Sequence, residues 1–397
     1  MDTEFIMVAK TMFGLEELLA KEIEELGGKE ITILKRAVQF KGDMKLLYRA
    51  NYCLRTALAI LKPLQSFTAR SDQELYDHVY KIEWEKYMNP DGTMYIDASV
   101  NSNIFKHSLY AAQKTKDAIC DRFRKMFDVR PSIEKDYVDL KIDLHIYDNQ
   151  VTISLNSSGE SLHKRGYRQE VGSAPLNEVT AAGLIQLSGW QKDCNFYDPM
   201  CGSGTIAIEA AMYANNIPAQ YYRKYFGFKK WSEFNAVDWK NEKEIADSKI
   251  SEFDYEIWAS DVSGSAIERA DKNIRFAHLN HDINLFRAAI EDGKRPDGKT
   301  FVITNPPYGE RMEVDDIIDL YQRIGDSLKQ NFQDCTAFII SSDIFALKKI
   351  GLKPTRKIEV FNGNLECRLF KFEIYSGSKK AKYNIDNQER EQENNIE

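Results

Sequence analysis

In Asn195-Phe196-Tyr197-Asp198-Pro199-Met200-Cys201-Gly202-Ser203-Gly204-Thr205 a short strand-like run delivers an acid to a glycine turn, and a helical pattern starts directly behind it. Glycines at 202 and 204 remove side chains where backbone must turn tightly and approach a ligand closely. The same strand, loop and helix could hold a phosphate or nothing. No Gly-Lys-Ser/Thr occurs in this turn, so it is not a P-loop.

The carboxylate narrows the choice. An acid directly before the turn would repel a pyrophosphate, whereas it suits the ammonium and sulfonium charges of S-adenosylmethionine. The next strand pattern ends at Ala259-Ser260-Asp261 and places a second acid at the carboxyl edge of the sheet, where open α/β sheets bind ligands. Asp261 can accept from ribose hydroxyls; capping the helix that starts near Gly264 is the plainer alternative. A long insertion between Asn215 and Tyr255 separates the two acids.

Phe301-Val302-Ile303-Thr304 then runs into Asn305-Pro306-Pro307-Tyr308-Gly309-Glu310-Arg311. Neither proline offers a backbone N–H, so the turn presents the Asn305 side-chain carbonyl and the Pro306 backbone carbonyl as acceptors. An exocyclic amine on a base is a poor nucleophile because its lone pair is delocalised into the ring. Two acceptors on its hydrogens favour a pyramidal nitrogen and stabilise the charge that develops on it. Tyr308 supplies an aromatic face for the base. A proline turn that merely ends a strand is the competing reading.

Outward from these motifs, strands at 195–197, 256–259, 283–286, 300–303 and 336–340, with two later ones near Ile358 and Phe370, alternate with helical patterns. That predicts an α/β, doubly wound, Rossmann-like sheet. Upstream, the pattern to Pro63 is strand-helix-strand-strand-helix-strand, a split βαβ unit. From Ser71 a second α+β pattern brings a long helix over Ser108 to Phe127 and a hairpin whose strands run over Val138 to Ile146 and Val151 to Leu155. The stretch from Gly377 is polar and lacks the apolar content to offset its ordering entropy, which predicts disorder.

With 54 basic and 61 acidic residues the formal charge is −7, so nucleic-acid binding would need local patches. Six cysteines lie far apart with no Cys-x-x-Cys, against a zinc site or a disulfide framework. No metal is expected. No basic and then apolar leader and no membrane-length apolar run are seen, which predicts a cytoplasmic chain.

DPMCGSGT and NPPYGER together resemble the first and fourth motifs of class I S-adenosylmethionine-dependent amino methyltransferases. APLNEVTAAGLI, the form NPPYGER and the basic-aromatic insertion resemble more narrowly the RlmL-type ribosomal RNA guanine methyltransferases, which modify the 2-amino group of guanine. SLYAAQKTKDAICDRF and GESLHKRGYR resemble a THUMP domain with its ferredoxin-like companion. The resemblance implies a ferredoxin-like subdomain over 1–65, a THUMP RNA-binding domain over 66–160, a class I methyltransferase domain over 161–376 and a tail over 377–397. By it, Asp198, Gly202, Gly204 and Asp261 hold S-adenosylmethionine, Asn177 packs beside the cofactor loop, Asn305 and Pro306 grip the amine, and Tyr308 faces the base. The family's third-motif aspartate has no counterpart at the end of its strand, and Asp292 is the nearest substitute. The implied partner is RNA, 23S ribosomal RNA or a ribosome-assembly intermediate, with a single modification because no second methyltransferase domain follows. The alternatives are a non-catalytic RNA-binding or assembly factor, or an amino methyltransferase acting on tRNA or on DNA adenine.

Three basic segments are candidate RNA contacts. Lys106, Lys114, Lys116, Arg122 and Arg124 lie on or beside the long helix, and Lys164, Arg165 and Arg168 lie at the joint between the halves. In the insertion, Arg223-Lys224-Tyr225-Phe226-Gly227-Phe228-Lys229-Lys230-Trp231 carries four cations and four aromatic rings with no acid. Lys229 and Lys230 there would meet phosphates while the rings stack on bases; an amphipathic flap packed on the sheet is the equal alternative. Residues 1 to about 165 are expected to bind RNA without the catalytic half.

Overall fold

The computed structural model of the protein describes residues 3–170, 176–307, 314–363 and 365–375. The chain divides into two compact units, one of Met1–Gly166 with Ile217–Ile250 and one of Tyr167–Asn216 with Ser251–Glu397. Tyr308 and the tail from 377 lie outside the described residues.

In the first unit β1 (Phe5–Thr11), α1 (Glu16–Glu25), β2 (Lys29–Leu34), β3 (Ala37–Gly42), α2 (Met44–Cys53) and β4 (Ala57–Thr68) follow the expected order. The second pattern gives α3 (Asp72–Lys81), β5 (Thr93–Asn101), α4 (Ser108–Phe127), β6 (Ser132–Ile133) and the hairpin β7 (Leu140–Tyr147) and β8 (Gln150–Asn156). All eight strands form one sheet, ordered β2-β3-β1-β4-β8-β7-β5-β6. The join is β4, which pairs with β1 through Ala57 to Leu61 and with β8 from Leu61 to Thr68. The sequence pattern ends that strand near Pro63. It continues because an irregularity between Pro63 and Gln65 absorbs the missing N–H donor.

The second unit holds α5 (Glu178–Ser188), β9 (Asn195–Asp198) and α6 (Thr205–Ala214); the chain then leaves it for an excursion carrying α7 (Ala236–Asp247) in the first unit. On its return it forms β10 (Ile257–Asp261), α8 (Gly264–Phe276), β11 (Ile283–Arg287), β12 (Thr300–Thr304), α9 (Val314–Asn331), β13 (Thr336–Ser341), α10 (Ile344–Lys349), β14 (Arg356–Asn362) and β15 (Leu365–Glu373). The sheet order is β11-β10-β9-β12-β13-β15-β14. The first five strands in that order are parallel, and β15 runs antiparallel to both neighbours. This is the expected doubly wound fold. Its order reverses between β9 and β12, which opens a ligand crevice at their carboxyl ends. Helix α6 is buried at nearly every position, as its almost wholly apolar sequence demands.

The excursion 217–250 is part of the first unit's core. Phe226 and Phe228 have no exposed surface, and Trp231 and Trp239 are buried in the same cluster as Leu47, Tyr48 and Tyr52. Tyr48 lies 4.8 Å from Phe228 and Tyr52 5.6 Å from Trp239, centroid to centroid. Polar bonds register the fit: Asn235 N donates to Tyr48 Oη at 3.0 Å, Tyr52 Oη to Asp247 at 2.8 Å, and Phe228 N to Ser157 O at 2.8 Å. The neck closes in the second unit, where Ser251 N donates to Asn215 O at 3.0 Å. Of the rings expected to stack on bases, Phe226, Phe228 and Trp231 are therefore interior, in one core with Tyr48 and Tyr52 of α2, and Tyr225 is half-buried.

Candidate functional site

Parallel pairing levels Phe196 with Ile257 on one side and with Phe301 on the other. Asp198, Asp261 and Asn305 consequently leave the sheet along one edge. A cavity of about 320 Å³ opens there, lined by Met200 and Gly202, Asp261 and Val262, Ala288 to Glu291, Asn305 and Pro307, and Leu320 and Arg323 of α9.

The glycine loop is fixed from below. Cys201 N donates to Ser260 O at 2.8 Å and Gly204 N to Cys201 O at 2.8 Å. Gly202 and Gly204 have φ of +56° and +82°, the left-handed region that side chains disfavour. A Cβ on Gly204 would also touch Ala270 of α8 at 3.4 Å. Gly202 N donates to Asp261 Oδ2 at 3.0 Å, and Ser263 N to Asp261 Oδ1 at 2.9 Å. Each carboxylate oxygen thus keeps acceptor capacity beside the cavity. The helix-capping alternative for Asp261 falls to Ser263, whose hydroxyl accepts from Ala266 N at 3.3 Å.

Asp198 differs. It is 1% exposed and does not line the cavity; Thr304 Oγ1 donates to its Oδ1 at 2.9 Å and Met200 N at 3.3 Å. Burial, opposed by these two bonds and helped by the nearby Asp261 charge, pushes its carboxyl up to about 7. It clamps β9 to β12 immediately before Asn305. Asn305 carries the opposite condition: its Oδ1 is buried, has no hydrogen-bond partner among the described residues, and its residue lines the cavity. A buried acceptor left unpaired costs about 1 to 3 kcal/mol, so a ligand donor there is favoured.

The other assigned residues separate. Pro306 is buried and it is Pro307 that faces the cavity. Asn177 caps α5, accepting from Val179 N at 2.9 Å and Thr180 N at 3.4 Å. Asp292 is exposed and turns to Ala289 N at 3.0 Å, while its neighbour Glu291 lines the cavity and accepts from Arg323 at 2.8 Å. Val262, Leu320 and Arg323 escaped the sequence reading. Val262, adjacent to Asp261, had a positional signal; the two α9 residues look like any amphipathic helix.

Among the basic candidates, Arg122 is held by Glu85 at 2.9 and 2.5 Å and donates to Tyr80 O. Arg165 is 1% exposed and donates to the Leu162 and Arg55 carbonyls. Arg168 binds Glu178 at 2.8 Å and Thr205 Oγ1 at 3.0 Å. Arg165 is thus interior, and the part-buried Arg122 and Arg168 are engaged by partners within the protein. Lys116, Arg124, Lys164 and Lys230 sit in ion pairs with Asp117, Asp121, Glu160 and Asp139. Lys229 lies over Phe226 and Trp239, its ammonium pKa lowered by burial. Lys106 is exposed, and Lys114 lies 5.9 Å from the Tyr110 ring centroid. Among the described residues no cluster could hold a metal, and no helix is long and apolar enough to cross a membrane.

Residues 165–371 match the RMKL-like methyltransferase domain family, residues 6–61 the RlmL ferredoxin-like domain and residues 69–156 the THUMP domain. A protein of Synechocystis sp. provisionally named an RNA methyltransferase is 36% identical over 366 residues, 91% of this chain and 95% of that one. The ribosomal RNA large subunit methyltransferase K/L of Syntrophotalea carbinolica is 36% identical over 94% of this chain, which spans 54% of that relative's length. The crystal structure of SMU.472, provisionally named a methyltransferase and complexed with S-adenosylhomocysteine, matches with a TM-score of 0.84. Its identity is 29%, over 95% of this chain and 100% of that one.

Proposed function

The chain belongs to the RMKL-like methyltransferase family, and on that premise we propose that it transfers a methyl group from S-adenosylmethionine to an exocyclic amine of a base in RNA. The observation that carries this reading is the buried, unpartnered Asn305 Oδ1 at the mouth of a cavity that Asp261 and the Gly202 loop also line. The residues present fit the cofactor. Asp261 has acceptor capacity for ribose hydroxyls, and Val262 and Ile290 give apolar walls for a flat ring.

When bound, S-adenosylmethionine supplies an electrophilic methyl carbon. Asn305 Oδ1 accepts one N–H of the amine, which makes up the bond the protein leaves unmade and holds the nitrogen lone pair out of the ring plane. Asp198 takes no part in contact; through Thr304 it sets where Asn305 begins. Glu291 is held by Arg323, and the acceptor capacity that Gly202 and Ser263 leave on Asp261 is assigned to the ribose hydroxyls. The nitrogen's surplus proton is on this reading released to solvent.

Guanine N2 in 23S ribosomal RNA is the finer reading, supported by the THUMP and RlmL ferredoxin-like matches and by the K/L relative's name. Ribosomal RNA from cells lacking the protein, incubated with it and methyl-labelled cofactor, should yield N2-methylguanosine at one position on nucleoside mass mapping. Label in transfer RNA or in DNA adenine, or none in any, would refute that assignment.

A further inference from the structure

The catalytic unit carries a second basic-aromatic stretch that the site above does not use. From Ile344 to Lys357 the chain holds Lys348, Lys349, Lys353, Arg356 and Lys357 and no acid, in a protein of formal charge −7. Its apolar half is anchored: Ala346, Leu347 and Ile350 share a core with Ile317, Leu320 and Tyr321 of α9. The packing is close enough that a Cβ on Gly325 would lie 1.9 Å from Ile350 O, so only glycine fits there.

What remains faces outward. Phe345 is 57% exposed, Ile344 43%, and Lys348, Lys353, Arg356 and Lys357 are all exposed. Phe345, Lys348 and Lys349 stand at i, i+3 and i+4 on α10 and so share one face, with Lys349 Nζ 4.6 Å from the Phe345 ring centroid. The acids nearby in sequence are occupied. Asp343 accepts from Ala346 N at 2.8 Å, and Glu359 and Glu366 are both held by Arg368. Among the described residues Lys348, Lys353 and Arg356 pair with no carboxylate.

The location matters as much as the charge. In the parallel pair β12–β13, Thr304 is level with Ile339, so Ile344 and Phe345 leave the sheet at the same edge as Asn305. Leu320 and Arg323 of α9, the helix on which α10 packs, line the cavity itself.

We propose that this face holds a single-stranded segment of the RNA next to the target base, with a flanking base stacked on Phe345 and phosphates neutralised by Lys348, Lys353 and Arg356. The proposal rests on the RNA reading above and adds a contact made by the catalytic unit. A second copy of the chain is the other occupant of an exposed aromatic face, but a two-fold contact would set five cations against five, whereas a polyanion complements them.

The test uses the full chain and ribosomal RNA from cells lacking the protein, with filter binding across a salt series. The triple variant Lys348→Glu, Lys353→Glu, Arg356→Glu should bind RNA about tenfold or more weakly, with the log–log salt slope reduced by about 2 to 3. S-adenosylhomocysteine affinity by calorimetry should not move. Phe345→Ala should raise KM for RNA roughly fivefold or more with kcat unchanged. If reversal disturbs the fold, seen as lost S-adenosylhomocysteine binding, the glutamine variants at the same positions decide by the same slope. Wild-type affinity and slope in the substituted protein overturn the proposal. Sedimentation that changes with Phe345→Ala while RNA affinity stays also overturns it, assigning the face to self-association. Failure of the unsubstituted protein to bind RNA at any salt sinks the RNA reading first, and this surface with it.

Discussion

The excursion 217–250 and the carboxyl edge of β9 to β12 are both rich in groups that suggest a ligand, and the fold treats them oppositely. In the excursion most of these groups are spent inside the first unit. Arg223 donates to the backbone carbonyls of Ser158, Glu160, Ser161, Lys164 and Tyr225, and burial pulls its pKa down to about 10. Its neighbouring rings fill the core of the first unit. At the sheet edge Asn305 Oδ1 is buried with no donor among the described residues. Gln220 Oε1 and Trp231 Nε1 of the excursion are also buried without a partner among the described residues, but they lie inside the first unit, whereas Asn305 Oδ1 lines a cavity where a ligand donor can reach it.

The comparison breaks most visibly at Trp239. If the excursion is core, Trp239→Ala should destabilise the first unit by about 3 to 5 kcal/mol, read as an earlier urea transition. A chain cut at residue 165 should fail to fold, because it loses Phe226, Phe228, Trp231 and Trp239 together. That replaces the expectation of an autonomous N-terminal RNA binder. An unchanged transition in Trp239→Ala would return the excursion to the surface.

Asp198 gives the next largest effect. An unfolded chain releases this proton at about 4, the folded one at about 7. Between those values the folded state holds more protons, so its stability falls as pH rises, by on the order of 4 kcal/mol in all. Asp198→Asn keeps the acceptor for Thr304 and should lose less stability than wild type over that window. Parallel pH profiles in urea unfolding would contradict the burial argument.

Much of this was legible in residues. The alternation of strands and helices after 195 gives the sheet, and the two motifs give the edge that matters, because parallel strands all end at one side. Three things were hidden. The destination of the excursion depends on Tyr48 and Tyr52, far away in sequence. Whether an acid faces ligand or core, as with Asp261 and Asp198, depends on what the adjacent strand offers, here Thr304. Arg165 and Arg168 read as cations for phosphate because their internal acceptors are mostly backbone carbonyls and distant side chains, which sequence does not display.

Asn305→Ala sharpens the comparison in the other direction. It removes an orphaned acceptor from the cavity, so the fold should gain or keep stability while methyl transfer falls at least about 100-fold. Cofactor affinity should persist. A variant both less stable and fully active would mean that Oδ1 serves packing.

Asp261 sits between the extremes and should give the smallest effect. Each of its oxygens already accepts one backbone N–H, from Gly202 and from Ser263, so the fold uses part of its capacity and leaves part facing the cavity. If the spare capacity binds ribose hydroxyls, Asp261→Ala should weaken S-adenosylhomocysteine binding about 10- to 100-fold by calorimetry, the scale of a lost charge-assisted hydrogen bond. Asp261→Asn separates the two duties. Its one oxygen can serve Gly202 or Ser263 but not both with the ligand, so its affinity should fall between wild type and the alanine variant, with thermal stability nearer wild type. Alanine within twofold of wild type would show that the carboxylate only braces the glycine loop, and the site would then rest on Asn305 and the cavity walls alone.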